Sequence, residues 1–453
     1  MKKKIMMFLA VFLVYLAGCA KSTLVGNEAG SSVEQLDQKT ETVSTDYETM
    51  ITPTLEEEIL PETNDKLYSL LMEQWKSGDV TKLYEYASDE IKSLVDEDRF
   101  NELFMYTYPT FGSVKDVKNE VVSSDGGIDL YTATLGYENA EADIEVYIGN
   151  LKIMGFNWEM RFLNSFDKEC APGITEHYFL LESGDYLLDA VYTHTDKVDA
   201  PAVLLIPGSG KSDYNETNGL LMPFEDIALG LAEHGVNSLR VEKRTNRFDS
   251  DWTAQWDLDE EYFIDYKAAL EWLGEQPEIK TVMLLGHSLG AQISVSLAEQ
   301  YDVSGLILFN GSARHLAQIV RDQHCALDPA KSEYYRQFSQ EAMMATTDTA
   351  EGIFYYALSD YYWADYNNLS TIDSLKSLNL PTLIINSRKD NQLYDEDIDL
   401  WQKEFGNDDK VTILVYNDIS HYGYKSDIFD ESSLYKRLEF SNELIEVFAR
   451  FCE

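Results

Sequence analysis

The chain has 453 residues, 44% of them hydrophobic and 26% charged, enough apolar material for two or three domains with real cores. Its 80 acidic residues outnumber 36 basic ones, for a formal net charge of −44. A surface of that sign repels phosphate backbones and anionic bilayers, which excludes a nucleic-acid partner and reads as the solvated face of an extracytoplasmic protein.

At the N-terminus, Lys2, Lys3 and Lys4 precede an unbroken apolar run over 5–16, the length of a signal-peptide core and short for a membrane span. The run ends in Leu16-Ala17-Gly18-Cys19, which resembles the bacterial lipobox. That resemblance implies a lipoprotein signal peptide over 1–18, a diacylglycerol on the Cys19 thiol, and anchoring at the extracytoplasmic face of the cell membrane. From 19 to about 60, Ser, Thr, Glu, Asp, Gln and Gly dominate, a composition too polar to offset its ordering entropy, so a flexible tether is expected. Cys170, Cys325 and Cys452 are widely spaced and odd in number, which is not a disulfide framework. With no Cys-x-x-Cys or Cys/His cluster, no metal or other cofactor is expected.

Apolar residues at helical spacing (Leu67, Leu70, Leu71, Trp75) predict a helix over 64–76, followed by short helices over 80–87 and 96–104. Alternation then predicts strands over 114–122, 128–137, 142–151 and 156–163, with Asp125-Gly126-Gly127 as a turn. Helices followed by a strand meander describe a small α+β domain over 61–165. This order resembles the cone-shaped nuclear-transport-factor-like domains. Its acidic residues read as a solvated face, and Tyr106, Tyr108 and Phe111 as core.

Cys170-Ala171-Pro172-Gly173 marks the expected domain junction, with the second domain over 172–453. A hairpin is expected over 175–181 and 186–193, then a buried parallel strand over 202–206. Helix and strand patterns alternate from there: helix 220–233, strand 236–241, helix 260–273, strand 281–285, helix 291–300, strand 305–309, strand 382–385, helix 396–405, strand 411–415 and helix 441–451. Repeated β-α units predict an α/β fold, a doubly wound sheet with helices on both faces. The strand pattern stops over 312–369. Helices expected over 313–323, 331–344 and 351–363 would form a lid over the carboxyl ends of the strands. Its Tyr355, Tyr356, Tyr361, Tyr362 and Trp363 suit an acyl or aryl pocket and the lid's own core equally well.

Within this frame, Gly286-His287-Ser288-Leu289-Gly290 lies between a buried strand and a helix. That is the context a nucleophile elbow requires, with Ser288 at the apex of a strained turn. A serine nucleophile needs a base, a carboxylate to orient it, and two backbone donors for the oxyanion. His421 follows the last strand, whereas His177, His194, His234, His287, His315 and His324 lie in less suitable places. Asp390 follows the preceding strand; Asp395 and Asp397 nearby read as residues of a helix start. Leu289 N–H is one expected oxyanion donor. Ser209 or Gly208, in the loop Pro207-Gly208-Ser209-Gly210, supplies the other. A phosphate-binding loop over 208–211 lacks the required spacing.

The order Ser288, Asp390, His421 is that of the α/β-hydrolase superfamily. Residues from about 175 onward resemble it, and most closely the bacterial carboxylesterases related to serine-aminopeptidase-like hydrolases. The resemblance rests on Gly208-Ser209-Gly210-Lys211-Ser212-Asp213, on the elbow, and on Val241-Glu242-Lys243-Arg244. Pro207 departs from the histidine usual in that group. The resemblance implies a serine carboxylesterase acting on a small-molecule ester, with Arg244 a structural or loop-positioning residue. A serine peptidase is the alternative, with Glu333, Glu341, Asp360 and Asp365 gripping an amine. A binding lipoprotein on an inactive hydrolase scaffold is another.

Overall fold

A computed structural model describes residues 60–248, 255–426, 429 and 431–453. The signal-peptide run, Cys19 and the tether lie outside the described residues.

The small domain begins with helix Asn64–Ser77, capped by the Thr63 side chain and closed by Gly78 in the left-handed region. Leu67, Leu71 and Trp75 fall on its buried face as their spacing predicts. The single helix expected over 80–87 is instead a 3₁₀ turn, Leu83–Tyr86, and a separate helix Asp89–Leu94 follows, capped by Ser88. Helix Glu97–Met105 completes the layer. Four antiparallel strands pack beneath it: β1 (Asp116–Asp125), β2 (Ile128–Gly136), β3 (Ala140–Gly149) and β4 (Lys152–Phe162). In β3, Ala140, Ala142, Ile144, Val146 and Ile148 all face the core, the period-two pattern of a half-buried strand.

The junction expected at 170–173 falls elsewhere. Strand β5 (Phe166–Ala171) already belongs to the second sheet, and Pro172-Gly173 turns it into β6 (Ile174–Ser183). The Pro-Gly pair is a hairpin turn, so the link between the sheets shortens to 163–165. Phe166 stacks on Tyr178 across that hairpin, with ring centroids 4.6 Å apart.

The second sheet continues with β7 (Tyr186–Thr195), β8 (Ala200–Ile206), β9 (Asn237–Val241), β10 (Ile279–His287) and β11 (Leu306–Phe309). A two-residue pair, β12 (Phe354–Tyr355) and β13 (Leu358–Ser359), lies in the lid. Strands β14 (Thr382–Ser387) and β15 (Val411–Tyr416) complete the sheet. The strand order is β15-β14-β11-β10-β8-β9-β7-β6-β5, parallel from β15 to β9 and antiparallel beyond. Parallel strands covered on both faces read as continuous apolar runs, and β8, β11 and β14 are buried along almost their whole length. The chain passes from β8 to β9 on one side, then returns to β10 on the other. That reversal opens a crevice at the carboxyl ends of β8 and β10. This is the α/β-hydrolase fold.

Between β11 and β14 the lid comprises helices Leu316–Leu327, Ser332–Met344, Asp360–Tyr366 and Thr371–Leu378. The helix expected over 351–363 forms only from Asp360. Before it, Tyr356 and Ala357 sit at φ 52° and 66°, the two positive dihedrals of a tight hairpin turn, without the Gly or Asn that usually signals one. Tyr362, Trp363 and Tyr366 belong to the main core, which decides the aromatic residues of this helix largely in favour of packing.

The two domains share a core. Tyr178, Val191 and Tyr214 of the hydrolase unit pack into the small domain's apolar cluster. Asp189 accepts the Phe162 N–H at 3.1 Å.

Candidate active site

Strand β10 delivers Ser288 into a sharp turn at φ 55°, ψ −120°, after which helix Leu289–Ala298 begins. Such a conformation is strained for any residue with a side chain. The flanking glycines permit it by close approach. A Cβ on Gly286 would lie 2.1 Å from the Gly290 carbonyl oxygen, and one on Gly290 would lie 2.2 Å from the Ile206 carbonyl oxygen. The Ser288 N–H donates to the Phe309 carbonyl at 3.0 Å, fixing the turn to the neighbouring strand.

Because β8, β10, β14 and β15 run parallel, the loops after them emerge on one edge. They carry Ser209, Ser288, Asp390 and His421 respectively. The structure brings His421 and Asp390 together: His421 Nδ1 donates to Asp390 Oδ2 at 2.6 Å, with both side chains buried. Asp390 Oδ1 accepts the N–H groups of Gln392 (2.7 Å) and Leu393 (3.0 Å), which sets the carboxylate plane. The neighbouring acids do other work. Asp395 pairs with Arg388 at the surface; buried Asp397 accepts the Tyr394 N–H and pairs with Arg314. Of the remaining histidines, His177 pairs with exposed Asp167, His234 bonds the Gly230 carbonyl, and His315 caps its lid helix.

Ser288 and His421 line one cavity of about 2650 Å³. Ser209, Tyr356 and Tyr362 also border it, as do Phe156 and Trp158 of the small domain. A recess of about 20 Å³, roughly one water in size, lies against Ser288, Leu289 and Ser209. Neither the Leu289 nor the Ser209 N–H is taken by an acceptor among the described residues. Gly208 is different: its N–H donates to Glu216 Oε1 at 2.7 Å and is not free for an oxyanion. Between the two residues considered for the second donor, Ser209 remains.

The residues missed from sequence form the surroundings of Gly208. Its carbonyl accepts from Lys243 Nζ at 3.2 Å and from the Tyr262 hydroxyl at 2.5 Å. Lys243 is ion-paired with Glu261, whose other oxygen accepts the lid's Tyr362 hydroxyl at 2.5 Å. Glu216 Oε1 also faces His287 Nδ1 at 2.8 Å, while His287 Nε2 donates to the His421 carbonyl at 2.9 Å. A carbonyl can only accept, so Nε2 carries a proton, and a second proton on Nδ1 would make the ring cationic. Burial opposes that charge, but the Glu216 carboxylate outweighs it and holds the His287 pKa above the ordinary imidazole value. Arg244 pairs with buried Asp265. Cys170, Cys325 and Cys452 are free thiols.

Residues 258–423 match the family model described as BAAT / acyl-CoA thioester hydrolase C terminal. The chain is 30% identical over 223 residues to Esterase EstD of Thermotoga maritima, covering 49% of this chain and 54% of that one. It thus spans about half the length of this relative. Similar solved structures include Est1E from Butyrivibrio proteoclasticus, with TM-score 0.39, 14% identity, and coverage of 60% of this chain and 96% of that one. Another is the acylaminoacyl peptidase of Pyrococcus horikoshii, with TM-score 0.44, 15% identity, and coverage of 76% and 56%.

Proposed function

We propose that the chain is a serine carboxylesterase that works through an acyl-serine intermediate, with Ser288 as nucleophile, His421 as base and Asp390 as its orienting carboxylate. One observation carries this reading: a serine on a strained elbow faces the same cavity as a histidine whose far nitrogen is bound by a buried carboxylate. Asp390 holds the Nδ1 proton in place, which leaves Nε2 to accept. His421 takes the Ser288 hydroxyl proton as Oγ attacks the ester carbonyl carbon. The resulting oxyanion meets the N–H groups of Leu289 and Ser209. Collapse breaks the bond to the alcohol oxygen, which leaves with the proton from His421. Water then attacks the acyl-serine by the same route, and the acid departs. The similarity to EstD supports an ester substrate. The family model's description makes an acyl thioester a second leaving-group class to assay.

Specific observations speak against the peptidase alternative. Asp360 is committed to the N–H groups of Glu351 and Gly352, and Asp365 to that of Leu258. Glu333 and Glu341 pair with Arg336 and Gln337 along their own helix. Each of these four carboxylates thus has a partner among the described residues. Ser288→Ala should abolish both labelling by a fluorophosphonate probe and hydrolysis of a p-nitrophenyl acyl ester; retained turnover in that variant refutes the assignment.

The tether enters the same proposal: Leu16-Ala17-Gly18-Cys19 supports a lipid anchor on the extracytoplasmic face of the membrane. Metabolic labelling with an alkyne fatty acid should be lost in Cys19→Ala, and labelling that persists would remove the anchor.

A further inference from the structure

Gly208 presents a conflict. A Cβ there would lie 3.0 Å from the Ser288 Cβ and 3.5 Å from its hydroxyl, so even a methyl group would press on the nucleophile. Glycine, however, is the residue least able to hold its own backbone still. The Ser209 N–H lies in the same peptide plane as the Gly208 carbonyl, and the peptide is trans, so the two point in opposite directions. Any wobble of Gly208 therefore swings the Ser209 donor.

Three buried side chains remove that wobble. Glu216 holds the N–H of Gly208; Lys243 and Tyr262 hold its carbonyl. One side of the residue is tied through Glu216 and His287 to the carbonyl of His421, and so to the loop that carries the base. The other side is tied through Lys243 and Glu261 to Tyr362 on a lid helix. Two features of Glu216 have no stabilising rationale. Its backbone sits at φ 52°, and its Oε2 is buried with no partner among the described residues. Strain and an unsatisfied acceptor at one residue are what a geometric duty leaves behind.

We infer that Glu216, His287, Lys243 and Tyr262 are positioning residues that aim the Ser209 N–H at the oxyanion, and that Tyr362 couples this aim to the seating of the lid. The inference rests on the esterase reading and deepens it.

The test compares full-length wild type with Tyr262→Phe, Tyr362→Phe and Glu216→Gln. Each is assayed for kcat and KM on a p-nitrophenyl ester, for inhibition by an aryl trifluoromethyl ketone, and for deuterium uptake in the peptide spanning 207–212. The ketone forms a tetrahedral adduct on Ser288 and reads the oxyanion site directly. Tyr262→Phe removes one hydroxyl and should lower kcat about 10- to 100-fold, with KM nearly unchanged and ketone affinity reduced in parallel. Tyr362→Phe should shift the same quantities in the same direction by less. Uptake over 207–212 should rise in both. A role confined to packing would lower the melting temperature and leave ketone affinity alone. Unchanged kcat and uptake in Tyr262→Phe overturns the inference even if Glu216→Gln fails to fold. If wild type hydrolyses no ester, the esterase reading fails by itself, and uptake still decides whether the clamp exists.

Discussion

Replacing Asp390 by Asn alters the hydrogen-bonding sense of one atom and almost no volume. The consequence follows from how the carboxylate is held. Oδ1 accepts two backbone N–H groups, from Gln392 and Leu393, while Oδ2 accepts His421 Nδ1. An amide at 390 keeps its oxygen on the two backbone donors, because the reverse orientation sets an NH₂ against both of them. Its NH₂ then faces Nδ1, which must become an acceptor. The ring proton moves to Nε2, and the base that should receive the Ser288 proton is lost. The expected fall in kcat is roughly four orders of magnitude, about 5 kcal/mol. Stability should change far less, since the two backbone bonds survive and only one charge-assisted bond, about 1.5–3 kcal/mol, is weakened. Ester turnover and thermal unfolding measured on the same preparation test both halves. A folded Asp390→Asn protein that retains a tenth or more of wild-type kcat would refute the reasoning, because it would show that Asp390 does not set the tautomer of His421.

Three further outcomes follow from packing and charge. Gly286→Ala places a methyl 2.1 Å from a backbone oxygen of the elbow, so stability should fall by about 1–3 kcal/mol or more, read as a lower melting temperature; an unchanged melt would contradict the close approach. Burial, and then Asp189, push Glu242 up to about pKa 8 against the pull of Arg247. Its folded-state pKa is raised, so its contribution is complete below about pH 4.5 and is lost as pH rises toward 8. Glu242→Gln should flatten that slope in urea titrations, and an unaltered slope would assign it to other groups. Deleting residues 60–163 uncovers Tyr178, Val191 and Tyr214 and takes away the Phe162 N–H that Asp189 binds, so the truncated chain should aggregate; a soluble, folded product would mean that the shared core is dispensable.

The parts legible in the sequence are those written in local pattern. Strands such as Ala200–Ile206 are covered on both faces, so they appear as continuous apolar runs whatever they pack against. The elbow is legible for a steric reason: only glycine survives at 286 and 290, so the motif marks its own geometry. Local pattern also misleads where two structures share one signal. Cys170-Ala171-Pro172-Gly173 has the composition of a linker, and a hairpin turn needs the same residues; pairing of β5 with β6 decides between them, and that pairing is tertiary. The turn at Tyr356-Ala357 escaped for the opposite reason, since neither residue announces a positive φ.

The clamp around Gly208 is the deeper case. Glu216 lies three residues past the Gly208–Asp213 loop and Lys243 within Val241-Glu242-Lys243-Arg244, but their meaning depends on which backbone atoms they reach. Lys243 is enclosed by Glu261 and the Gly208 carbonyl, partners distant in sequence. His287 reads as an elbow filler until its two nitrogens are found joining the oxyanion loop to the base loop, the latter contact 134 residues away in sequence. Residue type and order suffice to name a nucleophile, a base and an acid, because each must follow a particular strand. What holds the donor opposite them is a set of long-range hydrogen bonds with no period and no spacing, and such a set becomes visible only when the strands are placed side by side.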